Sequence, residues 1–216
     1  MLGLTAGQIY HKGLGAVARL QEKLAYYPHD VWLYLQHAQW QRIGQEEPFV
    51  GRAGVVGDDL GSAVIAARLV RDLIRLGFLL ERRYAPYAKY FGAAFARLAC
   101  APTLLPILQR VLRATSWQER EQHLSQAYTE LARCFNALGI THPVATEVAP
   151  FHSRPFLVIH GETIGHPAWE AIEDPAVKQL PRGLGKVDQH VDSTDVLSYP
   201  ARFRALAGLY GGRDGA

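Results

Sequence analysis

Four arginines and one aspartate recur at helical spacing in one stretch of the chain: Arg68, Arg71, Asp72, Arg75 and Arg82. In a helix these side chains gather on the same narrow side, and we call these five residues the arginine seam. Like charges at this spacing repel unless something neutralises them, and guanidinium groups bind phosphate or carboxylate oxygens bidentately. The pattern predicts either an anion-binding wall or a solvated face with salt bridges to neighbouring helices, and the second arrangement is the more common.

Further candidate ligand-binding residues lie on either side of the seam in the sequence. They are Arg42 before it, and Tyr87 and Lys89 after it. The glycine-rich stretch that leads into the seam also carries two adjacent glutamates, of which Glu46 is the candidate general base. Together with Arg68, Arg71 and Arg75, these residues form the predicted site for a small anionic ligand.

A second group of polar side chains follows near the C-terminus, in the sequence DQHVDSTDV. It contains Asp188, His190, Asp192 and Asp195. Carboxylate oxygens and imidazole nitrogens at this alternating spacing can hold Mg²⁺ or a transition metal, although Asp195 also suits the cap of a short helix. The sequence has no GxSxG, HExxH or CxxC motif, so it offers no complete set of catalytic residues.

The element that positions the arginine seam is a helix predicted over residues 57–84. Its apolar residues cover well over half of the helix circumference, which indicates a rod packed on several sides. They are Ile65, Leu69, Val70, Leu73, Ile74, Leu76, Phe78 and Leu80. The fold class predicted from this pattern is mainly α, a multi-helix bundle around one long central helix.

Other amphipathic stretches predict the helices that surround this rod. They cover residues 14–27, 28–47, a short piece ending near 99, 103–114 and 116–138. The second of these carries no Asp, Glu, Lys or Arg between Val31 and Gln41, which favours deep burial. Ser116 and Glu119 have the spacing of a capping box, and Gly139 marks the end of that helix.

Prolines divide the chain after residue 139 into short pieces. A brief strand predicted at residues 156–159 pairs with residues near 144–148, and short helices follow at 167–172, 175–180 and 201–210. We therefore divide the chain into a helical bundle, residues 1–140, and a proline-rich tail, residues 141–216, with at most a short hairpin. The tail has few residues to bury by itself, so we expect it to pack on the bundle as part of one structural domain.

The composition limits the classes of function. Of the 216 residues, 49% are hydrophobic and 20% are charged, and the formal net charge is +3. This charge is too small to indicate nucleic acid or an acidic membrane as a partner. The two cysteines are far apart, and the N-terminus lacks the pattern of a signal peptide, so we expect a cytoplasmic protein that contains no membrane span.

Three stretches resemble a bacterial family known as domain of unknown function 4037. They are YYPHDVWLYLQHAQWQRIGQEEPFVGRAG, GDDLGSAVIAARLVRDLIRLGFLLERRYAPYAKYFGAAFARL and SRPFLVIHGE with the later VDQHVDSTDVLS. In this family such a helical region follows an N-terminal nucleotidyltransferase-like domain, and the opening LGLTAGQIYHKGLG resembles the junction between the two. Nucleotidyltransferases of that kind need a Gly-Ser turn followed by D-x-D, whereas Gly61-Ser62 lies in a predicted helix and no D-x-D follows it.

The resemblance implies a helical accessory domain that binds a substrate or a partner and has no catalytic core of its own. It implies no cofactor in this chain, with Mg²⁺ and nucleotide held by a partner nucleotidyltransferase-like domain or chain. Two alternatives of different class remain. One is a stand-alone interaction or dimerisation module, and the other is a metal-dependent enzyme that uses the cluster from Asp188 to Asp195.

Overall fold

The computed structural model describes Thr5, Gly7 and residues 15–211, and these residues form a mainly α structure. The helices of the first part are α1 (Ala16–Lys23), α2 (His29–Glu46), α3 (Phe49–Val55), α4 (Asp59–Leu80), η1 (Ala88–Tyr90), α5 (Phe91–Phe95), α6 (Ala101–Arg113) and α7 (Trp117–Ala137). They are followed by β1 (Ala149–Pro150), β2 (Leu157–Val158), α8 (Gly161–Glu170), α9 (Pro175–Lys178), α10 (Val187–His190), α11 (Thr194–Ser198), α12 (Pro200–Ala205) and η2 (Leu206–Tyr210). The mainly α prediction is thus confirmed.

Helix α4 is the predicted central rod. Asp58 caps its N-terminus, because its carboxylate accepts a hydrogen bond of 2.7 Å from the backbone N–H of Gly61. Of the predicted apolar arc, Leu69, Val70, Leu73, Leu76, Phe78 and Leu80 are buried, whereas Ile65 and Ile74 are partly buried and pack against the core. The helix ends at Leu80, four residues before the predicted end.

Helix α2 lies antiparallel to α4. The indole Nε1 of Trp32 donates to the carbonyl of Leu79 at 2.7 Å, and the amide Nε2 of Gln39 donates to the carbonyl of Asp72 at 3.2 Å. These two bonds pair the beginning of α2 with the end of α4 and fix their register. The C-terminal turn of α2 consequently lies beside the middle of α4, where the arginines are.

Helix α7 packs against both α4 and α6, and its N-terminus is capped as the sequence predicts. The Ser116 hydroxyl accepts from the backbone N–H of Glu119 at 3.3 Å, and Glu119 accepts in return from the N–H of Thr115 at 3.0 Å. The helix stops at Ala137, and Gly139 adopts the positive φ of 62° that suits its role after the last turn.

The predictions for the tail need two corrections. Strand β2 pairs with Ala149–Pro150 and not with residues near 144–148, because the Phe151 N–H donates to the Phe156 carbonyl at 2.7 Å and closes a tight hairpin. Helix α8 begins at Gly161, six residues earlier than predicted, and includes Pro167. The sequence pattern predicts that this helix begins at Pro167, because proline is common in the first turn. In the structure it begins at Gly161, where the side chain of Glu47 accepts hydrogen bonds from the backbone.

Helix α8 packs closely against α2 through two glycines. A Cβ atom at Gly161 would lie 2.5 Å from the carbonyl oxygen of Trp40, and one at Gly165 would lie 2.8 Å from the Cβ of Trp40. Only glycine permits this approach. This contact fixes α8 on the surface of α2, so the side chains of α8 are held against those of α2. No helix in the described part of the chain is long and apolar enough to cross a membrane.

Candidate functional site

The C-terminal turn of α2 and the middle of α4 bring four charged side chains into contact. The Nε of Arg42 donates to Oδ2 of Asp72 at 2.9 Å, and Arg42 also lies 3.7 Å from Glu46. Glu46 Oε1 in turn accepts from Nη2 of Arg68 at 2.5 Å. Three of the predicted site residues, Arg42, Glu46 and Arg68, thus meet in one chain of ion pairs.

The tail supplies carboxylates to the next two arginines of the seam. Arg71 makes a two-bond contact with the carboxylate of Asp192 through both terminal nitrogens. Arg75 donates to the main-chain carbonyl of Asp188 and lies 3.8 Å from its carboxylate, which also pairs with Lys186 at 3.2 Å. We call the following eight residues the ion-pair network: Arg42, Glu46, Arg68, Arg71, Asp72, Arg75, Asp188 and Asp192.

The ion-pair network has a buried inner part and an exposed outer part. The Asp72 side chain is only 1% exposed, and burial lowers the pKa of the Arg75 guanidinium, which still stays protonated because its ordinary pKa is so high. The outer pair is wet, since the side chains of Arg71 and Asp192 are 31% and 69% exposed. An ion pair this exposed contributes little to stability, typically about 0–1 kcal/mol.

Three buried polar atoms of the ion-pair network have no hydrogen-bond partner among the described residues. They are Oε2 of Glu46, Oδ1 of Asp72 and Nε of Arg75. Buried polar atoms are nearly always paired in folded proteins, because an unpaired one costs about 1–3 kcal/mol. Two of these atoms are carboxylate oxygens, which accept hydrogen bonds and repel an anion, so Nε of Arg75 is the one donor among the three.

Three residues predicted for the arginine seam or for the ligand site, Arg82, Tyr87 and Lys89, lie away from the ion-pair network. Arg82 lies beyond the end of α4 at a φ of 51°, and its guanidinium stacks 4.0 Å from the Trp32 ring centroid, so including it in one seam was wrong. Tyr87 and Lys89 are exposed in the segment after the C-terminal end of α4, and Lys89 lies 5.4 Å from the Tyr90 ring. The contacts of Tyr87 and Lys89 therefore do not join them to the ion-pair network.

The side chains predicted as metal ligands make other contacts in the structure. Asp188 and Asp192 pair with arginines, and the two ring nitrogens of His190 are buried without a hydrogen-bond partner among the described residues. Over Thr5, Gly7 and residues 15–211 there is no cluster of three or more His, Cys, Asp or Glu side chains arranged to hold a metal ion. The metal-dependent reading of Asp188, His190 and Asp192 therefore has no geometric support.

Sequence reasoning missed the role of Glu47, the neighbour of Glu46. Its side chain is buried, and its two oxygens accept from the backbone N–H groups of Ile159 at 2.5 Å and Gly161 at 3.0 Å. These bonds stabilise the start of α8, which explains why that helix begins before its proline. Burial is the dominant influence and raises the pKa of Glu47 to about 7.

The geometry defines a mainly α domain with an arginine–carboxylate network between its two central helices. Residues 1–91 match the model of a family described as Domain of unknown function (DUF4037), which confirms the resemblance over that part of the chain. The matched part contains α2, α4 and all of the arginines in the ion-pair network, whereas Asp188 and Asp192 lie outside it. No curated protein and no solved structure matches the chain.

Proposed function

We propose that this chain is the accessory helical domain of a bacterial, cytoplasmic nucleotidyltransferase-like protein, and that it binds a substrate or a partner without a catalytic core of its own. Its ion-pair network recognises an anionic group of the bound molecule. Mg²⁺ and the nucleotide belong to the catalytic domain or partner chain. Nucleic acid is disfavoured as a partner because the net charge is only +3.

The observation that supports this function is the exposure of two arginines in the ion-pair network. The Arg71 side chain is 31% exposed and pairs with the exposed carboxylate of Asp192. The Arg68 side chain is 54% exposed although it pairs with Glu46. A bound anion would gain charge-assisted hydrogen bonds from the arginines, and Glu46 is the group placed to accept a proton.

The exposed pair of the network, Arg71 and Asp192, is the part at which a ligand anion can bind. The Asp192 carboxylate holds Arg71 in the two-bond geometry that a ligand carboxylate or phosphate would adopt. Because this pair is exposed, its loss on ligand binding has a small energetic cost. A ligand anion would therefore replace Asp192 on Arg71.

Thermal unfolding in the presence of nucleotide tests the proposal. At ten times its Kd, a ligand that binds only the folded state stabilises it by about 1.4 kcal/mol and raises the Tm by about 3–6 °C. We expect this rise for millimolar nucleoside triphosphate, which serves as a phosphate-bearing probe of the network, and we expect Arg71→Ala to reduce it. Arg113→Ala, at an exposed arginine of α6, is the matched control and keeps the rise. An unchanged Tm of the wild-type chain, or an equal loss in both variants, contradicts anion recognition by the network.

A stand-alone interaction module is the second candidate function, and a separate observation favours it. An apolar patch covers the turn between α3 and α4, where Val56 and Leu60 are each 78% exposed and Val55 and Val64 are 59% and 54% exposed. Contiguous exposed apolar residues of this kind commonly mark protein interfaces. If the patch joins two copies of the chain, Leu60→Glu abolishes a dimer seen by sedimentation, whereas Leu112→Glu on α6 does not. A wild-type chain that sediments as a monomer at all concentrations contradicts dimerisation.

A further inference from the structure

A second cationic site lies where α2 and α8 meet the segment that follows α8. The Nη2 of Arg182 is 2.8 Å from Nδ1 of His166, and its Nε donates to Nε2 of His37 at 3.4 Å. The Cζ of Arg182 and the Nζ of Lys178 lie 5.4 Å and 5.0 Å from the ring centroid of Trp169. We call these five residues the Arg182 cluster.

The loop that carries Arg182 is fixed in position. The buried hydroxyl of Tyr34 donates to the carbonyl of Pro181 at 2.9 Å and accepts from the N–H of Gly185 at 3.0 Å. Gly183 and Gly185 have φ angles of 78° and 71°, a conformation that favours glycine. One side chain of α2 thus holds both ends of a tight loop, and this geometry presents Arg182 to the imidazoles.

The two imidazoles bring no negative charge to Arg182. His37 is 2% exposed, and its Nδ1 lies 3.1 Å from the carbonyl of Gly165, which can only accept. The proton is therefore on Nδ1, and Nε2 is the acceptor for Arg182. Burial lowers the pKa of His37, in agreement with a neutral ring. By the same logic, Nδ1 of His166 accepts from Arg182, so its Nε2 carries the proton and is a donor.

The Arg182 cluster lacks a neutralising carboxylate. Within the described part of the chain, neither Arg182 nor Lys178 forms an ion pair, and the ion-pair contact of the cluster is that of His166 with Glu170 at 3.8 Å. A guanidinium has five N–H donors, of which the two imidazoles engage two. Arg182 is exposed, so its three remaining donors are accessible. Lys178 uses one donor on the Trp169 carbonyl at 2.7 Å and keeps two more.

We propose that the Arg182 cluster is a binding site for a phosphate group, separate from the ion-pair network. Arg182 keeps three N–H donors and Lys178 keeps two, and these are more than the two oxygens of a carboxylate can use. A phosphate group has three peripheral oxygens and a higher charge, so it matches this donor set better. The fixed loop and the buried His37 hold Arg182 before the anion arrives, which reduces the ordering cost of binding.

Calorimetric titration of the full chain with inorganic phosphate and with pyrophosphate at low ionic strength tests this site. We expect binding in the millimolar range or tighter, with pyrophosphate the tighter ligand and acetate about tenfold weaker than phosphate. Arg182→Gln should weaken phosphate binding about tenfold and Lys178→Gln about threefold, because each removes a charge-assisted donor.

Two matched variants separate this site from general electrostatics. Arg113→Gln and Arg83→Gln each remove an exposed positive charge outside both sites, so both should leave phosphate affinity unchanged. The proposal is overturned by absent binding to the wild-type chain, by unchanged affinity in Arg182→Gln, or by equal losses in Arg113→Gln or Arg83→Gln. Should Arg182→Gln fail to fold, Lys178→Gln decides, and unchanged affinity in that variant also overturns the proposal.

Discussion

In the ion-pair network, each of four arginines has a carboxylate within 3.8 Å, and four carboxylates balance the four guanidinium groups. In the Arg182 cluster, a guanidinium is held by two imidazoles, and its cations form no ion pair with a carboxylate in the described residues, apart from the contact of His166 with Glu170. The network has thus supplied its own anions from α2, α4 and the tail. The Arg182 cluster has no such carboxylates for Arg182 and Lys178. An external anion should therefore gain more binding free energy from each cation of the cluster than from each cation of the network.

This difference separates arginines that already have a carboxylate partner within the fold from an arginine that has none among the described residues. Of the paired arginines, Arg68 and Arg71 are exposed enough to exchange their carboxylate for a ligand anion. A partly buried arginine such as Arg42 is stabilised by a fixed counter-ion, and the chain provides one in the buried Asp72. An exposed arginine such as Arg182 keeps its hydration and requires none. Positive charge in the sequence does not distinguish the two situations, because only the tertiary contacts decide where the carboxylates lie.

The largest expected effect is on folding stability. Asp72→Ala removes the buried partner of Arg42, whose side chain is 23% exposed and still lies 3.7 Å from Glu46. We therefore expect a loss of about 3 kcal/mol, the lower end of the range for breaking a buried ion pair. Arg182→Gln should change the free energy of unfolding by about 0.5 kcal/mol or less, since Arg182 is exposed and has no carboxylate partner among the described residues. Urea unfolding at pH 7 measures both values. If Arg182→Gln destabilises the chain as much as Asp72→Ala, the distinction between the two sites is wrong.

Glu47 provides the reverse case, a buried carboxylate whose partners are N–H groups and not a cation. Its pKa is about 7 in the folded chain, against an ordinary value of 4.5. Between these values the folded state binds more protons than the unfolded state, so this group's contribution to stability is full below about pH 4.5 and is lost as the pH rises to about 7. The loss amounts to about 3 kcal/mol.

Urea unfolding at several pH values between 4.5 and 8 measures this loss. Glu47→Gln should remove most of the slope, because the amide does not titrate. It also loses one of the two hydrogen bonds to the N–H groups, because the amide NH2 cannot accept. Glu46→Gln is the control at the adjacent residue and keeps the slope, since Glu47 is intact. A slope that persists in Glu47→Gln would assign the titration to another group.

Much of the bundle could be predicted because its signals are local. The wide apolar arc of α4 and the caps at Asp58 and Ser116 each depend on residues only a few positions apart. Arg42 and Glu46 were predicted near the rod as candidates for ligand binding, and they contact the seam as ion-pair partners because α2 and α4 lie side by side. Arg82 was misplaced since the helical pattern continues past Leu80, whereas the chain turns at Arg82 itself.

The remaining features depend on contacts between distant parts of the chain. Arg71 and Asp192 are 121 residues apart, and Arg182 and His37 are 145 apart, so no spacing in the sequence relates them. Glu46 and Glu47 are adjacent and alike, yet one faces the arginines and the other faces the start of α8. Their separation follows from the close packing of Gly161 and Gly165 against α2, which has no periodic signature.

The smallest expected effect concerns the exposed pair between Arg71 and Asp192. If a ligand anion replaces Asp192, Asp192→Asn removes the competitor and should tighten nucleotide binding about two- to fivefold, the range expected for an exposed ion pair. Asp195→Asn makes the same charge change three residues later, at an exposed side chain without an ion pair in the described residues, and isolates the general electrostatic effect. Calorimetric titration with nucleotide compares the two. Equal tightening in both variants would mean that Asp192 acts only through its charge, and that the anion binds away from Arg71.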